Sequence, residues 1–270
     1  MNLQQANYFA SLIDAERVWV IGAIHSEANS LKSIHQKISL RYISGDKIVY
    51  LGNVIGVGKN VIETIDELLH FRKKIISING SCETTRNMVF LRGAQEEMLH
   101  KLLQVQLAVN PAEIIEWLET QGVNSTLEAY GGSIKEAIIN ARGGARDLAL
   151  WTNKIRKKIA SNPGHQDFLS ALKRAAITSD GSLLFVNSGI DPERPLDAQK
   201  DSFWWDNKGF NKLDGPFCGF TKVVRGFALN HPGIESDLYT ITVDGGSGFG
   251  GKLMAACINL NGEIIEQIES

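Results

Sequence analysis

The sequence predicts a layered α/β (α+β) fold that carries a helical insert, and three observations lead there. Strand-like and helix-like periodicities alternate three times in the first hundred or so residues. A stretch from about 105 to 175 reads as helix, and strand-like runs resume after it to the end of the chain. The 270 residues suffice for one large domain, and a 43% apolar share supplies a sizeable core. A single domain over 1–270, with the insert about 105–175, is therefore expected.

The elements follow in order. Arg17–Gly22 is a continuous apolar run of buried-strand type, and Glu27–Lys37 then spaces Ala28, Leu31 and Ile34 on one helical face. Lys47–Gly52 is the second strand, leading through a glycine-rich loop to Gly58 and a helix from Val61 to Phe71 with Ile62, Ile65, Leu68 and Leu69 on one side. Asn87–Gly93 and Gln95–Leu103 repeat the pattern. Within the insert, Pro111 opens a helix over Ala112–Gln121, since proline suits the first helical position. Gly131-Gly132 and Gly143-Gly144 punctuate further helical stretches, and His165–Ala175 reads as another helix. Leu183–Asn187, Lys222–Gly226, Tyr239–Asp244, Lys252–Ile258 and Glu263–Ile268 are strand-like. No internal repeat or low-complexity segment interrupts them.

Composition narrows the function classes. Lysine plus arginine gives 28 and aspartate plus glutamate 30, a net charge of −2, so no nucleic-acid partner is predicted. Cys82, Cys218 and Cys257 are scattered without a CxxC, which suits a reducing compartment and excludes a cysteine-built zinc site. No run approaches the ~18 apolar residues of a membrane span, and no basic-then-apolar leader opens the chain. A soluble, cytoplasmic protein without a transmembrane span is the expectation.

Six strand-end loops carry the functional signal. They are Gly22-Ala-Ile-His-Ser-Glu27, Gly52-Asn-Val-Ile-Gly-Val-Gly58, Leu91-Arg-Gly-Ala-Gln-Glu-Glu97, Phe185-Val-Asn-Ser-Gly189, Val223-Val-Arg-Gly-Phe227 and Val243-Asp-Gly-Gly-Ser-Gly-Phe-Gly-Gly251. Their order, spacing and framing glycines resemble the serine/threonine-phosphatase branch of the calcineurin-like metallophosphoesterases, in particular its bacterial members. That branch runs GDIHG, GDYVDRG, RGNHE, a histidine loop, a GH loop and a DTG loop. The resemblance spans roughly residues 17 to 260 and implies a β-sandwich flanked by helices, with the site between the sheet edges.

The departures are concentrated at the chemistry. The family uses two divalent cations that share a bridging carboxylate and a hydroxide. The resemblance puts the ligand positions at Ala23, His25, Asn53, Ala94, Asn187 and Phe227, of which His25 alone keeps the family residue. The general-acid histidine falls on Gln95, its orienting aspartate on Gly56 and the phosphate-clamping arginine on Val57. An amide does not deliver a proton near neutral pH, and valine offers no fork to a phosphate. His231, four residues beyond Phe227, could reach back toward the cluster. No cofactor and no catalytic residue are therefore expected. The expectation is a pseudo-phosphatase serving as a binding or structural subunit. The alternatives are a working metal-dependent phosphoesterase with an atypical manganese, iron or zinc pair, and a sensor of a phosphorylated ligand without turnover.

Plainer readings stand beside these. His25 reads first as a hydrogen-bonded structural histidine. Glu96 and Glu97 sit where acidic side chains favour the positive end of a helix. Arg92 and Arg225 precede glycines in the former cleft and are candidates for an anion or for a structural ion pair. Asp244 would brace neighbouring loops by accepting backbone hydrogen bonds. The glycines of Gly245–Gly251 precede a strand rather than a helix, so a nucleotide loop is excluded. The insert holds the one charge asymmetry: Arg142, Arg146, Lys154, Arg156, Lys157 and Lys158 against Asp147 alone. Leu148, Trp151, Ile155 and Ile159 share one face of that helix. Arg146, Trp151, Lys154, Lys157 and Lys158 are the candidate partner surface, for a protein in a homo- or hetero-oligomer, with peripheral membrane contact left open. Of Phe203-Trp204-Trp205, at least one tryptophan is expected in the core.

Overall fold

The computed structural model describes residues 8–79 and 87–270, so Cys82 lies outside the described residues. Two sheets face one another. The five-stranded sheet runs β11-β10-β2-β3-β4, with β2 (Arg17–Ile21), β3 (Lys47–Tyr50) and β4 (Met88–Phe90) parallel and β10 (Met254–Asn259) antiparallel to β2. Hairpin partner β11 (Ile264–Glu269) forms its edge. The six-stranded sheet runs β1-β5-β6-β7-β9-β8, built from β1 (Phe9–Leu12), β5 (Ala175–Thr178), β6 (Leu183–Val186), β7 (Lys222–Arg225), β9 (Thr240–Asp244) and β8 (Gly233–Ser236).

Strand alternation divides the apolar residues between two cores. Val18, Val20, Val49 and Leu51 meet Leu183, Phe185, Val224, Ile241 and Val243 in the slab between the sheets. The opposite side chains, Trp19, Ile21, Ile48 and Tyr50, pack with Leu31, Ile34 and Ile38 of α1 (Ala28–Ser39) and Ile65, Leu68 and Phe71 of α2 (Val61–Asn79). This outer core continues into a cap of five helices: α4 (Pro111–Thr120), α5 (Val123–Ala129), α6 (Ile134–Gly143), α7 (Ala145–Ala160) and α8 (His165–Ala171). The cap follows α3 (Ala94–Leu103) in the chain.

Three strands escape sequence reading. The helix expected to run from His165 to Ala175 stops at Ala171, where Leu172 turns extended at ψ 136. Lys173 then bridges Leu91 at the end of β4, and Ala175–Thr178 pairs with β1 and β6. Alanine is the best helix former, but intrinsic propensity is a weak preference, and a vacant place between two strands outweighs it. Strand β1 is four residues long, and β8, a polar and half-exposed edge strand, shows no apolar run. The insert's helix boundaries otherwise follow its punctuation: Pro111 opens α4, the Ser133 hydroxyl accepts from the Glu136 N–H, and Gly144 at φ +105 separates α6 from α7.

Candidate functional site

All six loops converge at the sheet edges, held by backbone hydrogen bonds. The Ala23 N–H donates to Gly226 O at 2.9 Å, and the Ile24 and His25 N–H groups donate to Asn53 O at 3.0 and 2.8 Å. The Gly226 and Phe227 N–H groups both donate to Asn187 O at 2.9 Å. His25, Ser26, Asn53 and Val57 take left-handed backbone angles, φ 50, 62, 51 and 58. For a β-branched valine this is a strained conformation, costing on the order of 1–3 kcal/mol, that persists because its surroundings dictate it.

The polar side chains at the positions that the resemblance assigns to metal ligands link loops to one another. Asn53 Oδ1 accepts from the Gln95 N–H at 3.1 Å. Asn187 donates through Nδ2 to Leu51 O at 2.7 Å and accepts from the Ala94 N–H at 3.4 Å. Packing is close enough that a Cβ on Gly93 would stand 2.3 Å from Asn53 N and 2.9 Å from Asn187 Nδ2. Ala23 and Ala94 are buried methyl groups.

Glu96, read in the sequence as a helix-start residue, does more than that. Its buried carboxylate accepts four backbone N–H groups: Asn53 at 3.0 Å, Val54 at 2.7 Å, Ile55 at 3.0 Å and Gly93 at 2.7 Å. It clamps the second loop onto the N-terminus of α3. Burial pushes its carboxyl above the usual range, against the opposing pull of its backbone donors. The signal for this role was the spacing of Glu96 three residues after Gly93, which suits a capping box; the reach to residues 53–55 had no sequence signal.

His25 departs from expectation. It is 2% exposed, and neither ring nitrogen has a hydrogen-bond partner. It meets Phe227 and Phe249 edge-on at centroid distances of 5.7 and 5.1 Å. His231 does reach back, stacking on Phe249 at 4.9 Å, but its Nδ1 is held by Asp244 at 2.8 Å. Burial first, and the neighbouring His231 second, push His25 down to about 3, so it is neutral across the physiological range. Asp244 also accepts from the Ala228 and Gly246 N–H groups at 2.8 and 3.0 Å, bracing the fifth and sixth loops.

Positions 56, 57 and 95 seat the cap. The Gly56 N–H donates to the Thr126 hydroxyl at 3.1 Å, the Val57 N–H to Gly122 O at 3.2 Å, and Gln95 Nε2 to Gln121 O at 2.8 Å. A Cβ on Gly56 would meet Gln95 Oε1 at 2.1 Å, so the loop and the amide need the glycine.

Three candidate binding residues lie elsewhere than expected. Arg225 belongs to the outer face of the six-stranded sheet rather than the cleft, since its neighbour Val224 fills the slab between the sheets. There Arg225 lies over the Phe210 ring at 4.0 Å and donates to the Thr242 hydroxyl at 3.0 Å, and burial lowers it to about 10. Arg92 pairs with Glu97 at 3.0 Å on the cap side of α3. Trp151 is no surface residue: it is 5% exposed and packs in the cap core with Leu148, Ile155 and Ile159. Lys154, Lys157 and Lys158 are exposed, as is Arg146. Trp204 is buried, while Trp205 is 39% exposed and meets the half-exposed Trp117 edge-on at 6.3 Å.

The residues present do not fit a two-metal centre. Asn53 and Asn187 already use their amide oxygens on backbone donors, and the carboxylate beside them, that of Glu96, is taken up by four backbone N–H groups. Among the described residues, no group of three or more His, Cys, Asp or Glu side chains is placed to hold a metal ion. No helix among them is long and apolar enough to cross a membrane.

No family model matches the sequence, and no curated protein matches it significantly. Solved structures do resemble the fold. A protein assigned as a diadenosine tetraphosphatase superposes with a TM-score of 0.58 at 15% identity, covering 98% of each chain. The I115M mutant of a cold-active protein tyrosine phosphatase gives 0.57 at 13% identity over 100% of this chain and 85% of that one. The cold-active protein-tyrosine phosphatase of a psychrophilic Shewanella gives 0.53 at 13% identity, over 96% and 81%. The fold these three structures share with this chain is two sheets flanked by helices.

Proposed function

We propose that this chain is a catalytically silent member of the metallophosphoesterase fold, a pseudo-phosphatase that serves as a binding or structural subunit. The observation that carries this reading is the use made of the old ligand positions. Asn53 and Asn187 hydrogen-bond neighbouring loops, and His25 is a neutral ring packed against Phe227 and Phe249. Hard divalent cations depend on carboxylate charge as well as on donor count. A buried neutral contact also costs less than clustered unpaired carboxylates would. The exposed Trp117–Trp205 pair and the basic outer face of α7 support a role in recognition, since aromatic and basic side chains commonly anchor interfaces.

Elemental analysis of purified protein, with aryl phosphate hydrolysis in added manganese, tests it. Metal well below one equivalent and hydrolysis equal to buffer are expected. A manganese-dependent rate that survives purification and vanishes in Asn53→Ala or Asn187→Ala would sink the proposal.

A further inference from the structure

Beside the third loop, α3, α7 and α8 border a cavity of about 380 Å³, within the size range of small-molecule sites. Leu99, Leu103, Ile159 and Leu169 give it an apolar wall, Arg92 and Arg156 bring positive charge to it, and Glu96 lines it as well. The charge is unevenly paired. Glu97 pairs with Arg92 at 3.0 Å, Lys101 divides between Asp201 at 3.4 Å and Glu97 at 3.8 Å, and the Glu96 carboxylate is taken up by the backbone N–H groups of residues 53–55. Arg156 donates to Leu103 O and to Asn153 Oδ1 at 3.4 Å, and among the described residues it meets no carboxylate. His100 is held below its ordinary value by burial first and by the Arg92 charge next, so it borders the cavity as a neutral imidazole near pH 7. Lys157 and Lys158 on the same helix extend the positive field outward.

We propose that this cavity binds a small amphipathic carboxylate. The carboxylate would be taken by the Arg156 guanidinium, whose planar fork matches two carboxylate oxygens, with Arg92 close by. The aliphatic part would lie against Leu99, Leu103, Ile159 and Leu169. An uncharged amphiphile would leave Arg156 unpaired, and an amine would be repelled, so charge sign rather than apolar bulk decides the ligand class. The site adjoins the third loop through Arg92 and Glu96, but its proposed ligand-holding group is on α7, and it stands independently of whether the loop cluster is catalytically silent.

Calorimetric titration with octanoate, set against octanol and octylamine, is the test. One octanoate per chain should bind saturably, octylamine should not bind, and Arg156→Gln should weaken octanoate at least tenfold. Leu169→Trp, which fills the cavity from a partly exposed wall, should abolish it; if Arg156→Gln fails to fold, Ser170→Trp at the exposed mouth is read in its place. Phosphatidylcholine vesicles with and without phosphatidylglycerol separate a soluble ligand from a lipid surface. No octanoate binding in the millimolar range, equal binding of the three amphiphiles, variants without effect, or binding only to the anionic vesicles would each overturn the proposal.

Discussion

Helix α3 handles charge in opposite ways on its two sides. At its start, Glu96 is buried and its carboxylate is surrounded by four backbone donors, while Asn53 and Asn187 are neutral and bonded to backbone and His25 is set among aromatic rings. On the side facing α7 and α8, Arg92 and Arg156 border a cavity, where Arg92 is paired with Glu97 and Arg156 meets no carboxylate among the described residues. Charge is paired off at the loop cluster, and one cation is left without a carboxylate beside the cavity. The difference teaches that a buried group is explained by what its polar atoms touch, and that an unbalanced one points toward a missing partner.

Removing the clamp should break the first side most completely. Glu96→Ala leaves four buried N–H groups without an acceptor, and each unsatisfied group costs about 1–3 kcal/mol before relaxation. We expect a total loss of roughly 3–5 kcal/mol, allowing for water entry, seen as a lower denaturant midpoint at unchanged slope. A loss below about 1 kcal/mol would mean that Glu96 does not hold the loops.

The unpartnered histidine gives a pH signature with a fixed sign. Its folded value of about 3 lies below the unfolded 6.5, so its contribution is intact above pH 6.5 and is lost as pH falls toward 3. Between pH 6.5 and 5 the loss is about 2 kcal/mol, at 1.36 kcal/mol per unit. His35, also lowered by burial, adds to the same acid limb with the same sign. His25→Phe should flatten the dependence of Tm on pH in that window, though strain at φ 50 lowers the plateau itself. An unchanged slope would show that the ring is hydrated or partnered.

Placing one carboxylate at a position that the resemblance assigns to a metal ligand should harm rather than help. Asn187→Asp replaces the donor to Leu51 O with an anionic oxygen facing a carbonyl, a buried mismatch of about 1–3 kcal/mol. Manganese should not raise the Tm of this variant. A metal-dependent rise would bring the two-metal reading back.

Much of this was legible in the sequence because it is local. Periodicity placed β2, β3, β4 and the helices that follow them, and the glycine-framed loops placed the cluster. What was illegible depends on pairings distant in the chain. Strand β5 needs its partner β1, and the reach of Glu96 to residues 53–55 crosses about forty positions. The seating of the cap on Gly56, Val57 and Gln95 joins segments that share no pattern. Arg225 was misplaced because a loop motif says where the backbone turns and not which face of the strand a side chain takes. Trp151 shows the reverse error: its helical face was read correctly, and that face proved to be the buried one.

The smallest expected effect on stability bears on the largest open question, which partner the cap faces. Lys154, Lys157 and Lys158 are exposed on α7; Lys154 has a weak contact with Glu136 at 4.0 Å, and the other two lie in the last turn, where positive charge complements the helix dipole. Reversing all three to glutamate should therefore cost about 0.3–1 kcal/mol per site and leave the fold intact. If the proposed subunit role uses this face, the reversal should weaken a complex with an acidic partner, and raising salt should weaken the unaltered complex in parallel, since exposed charges are screened. Substitution to glutamine should fall between the two, because it removes attraction without adding repulsion. Native mass spectrometry of the complex before and after reversal reads this directly. A partner that stays bound to the reversed protein, or that leaves equally with glutamine and glutamate, would move the interface off α7 and toward the exposed Trp117–Trp205 pair.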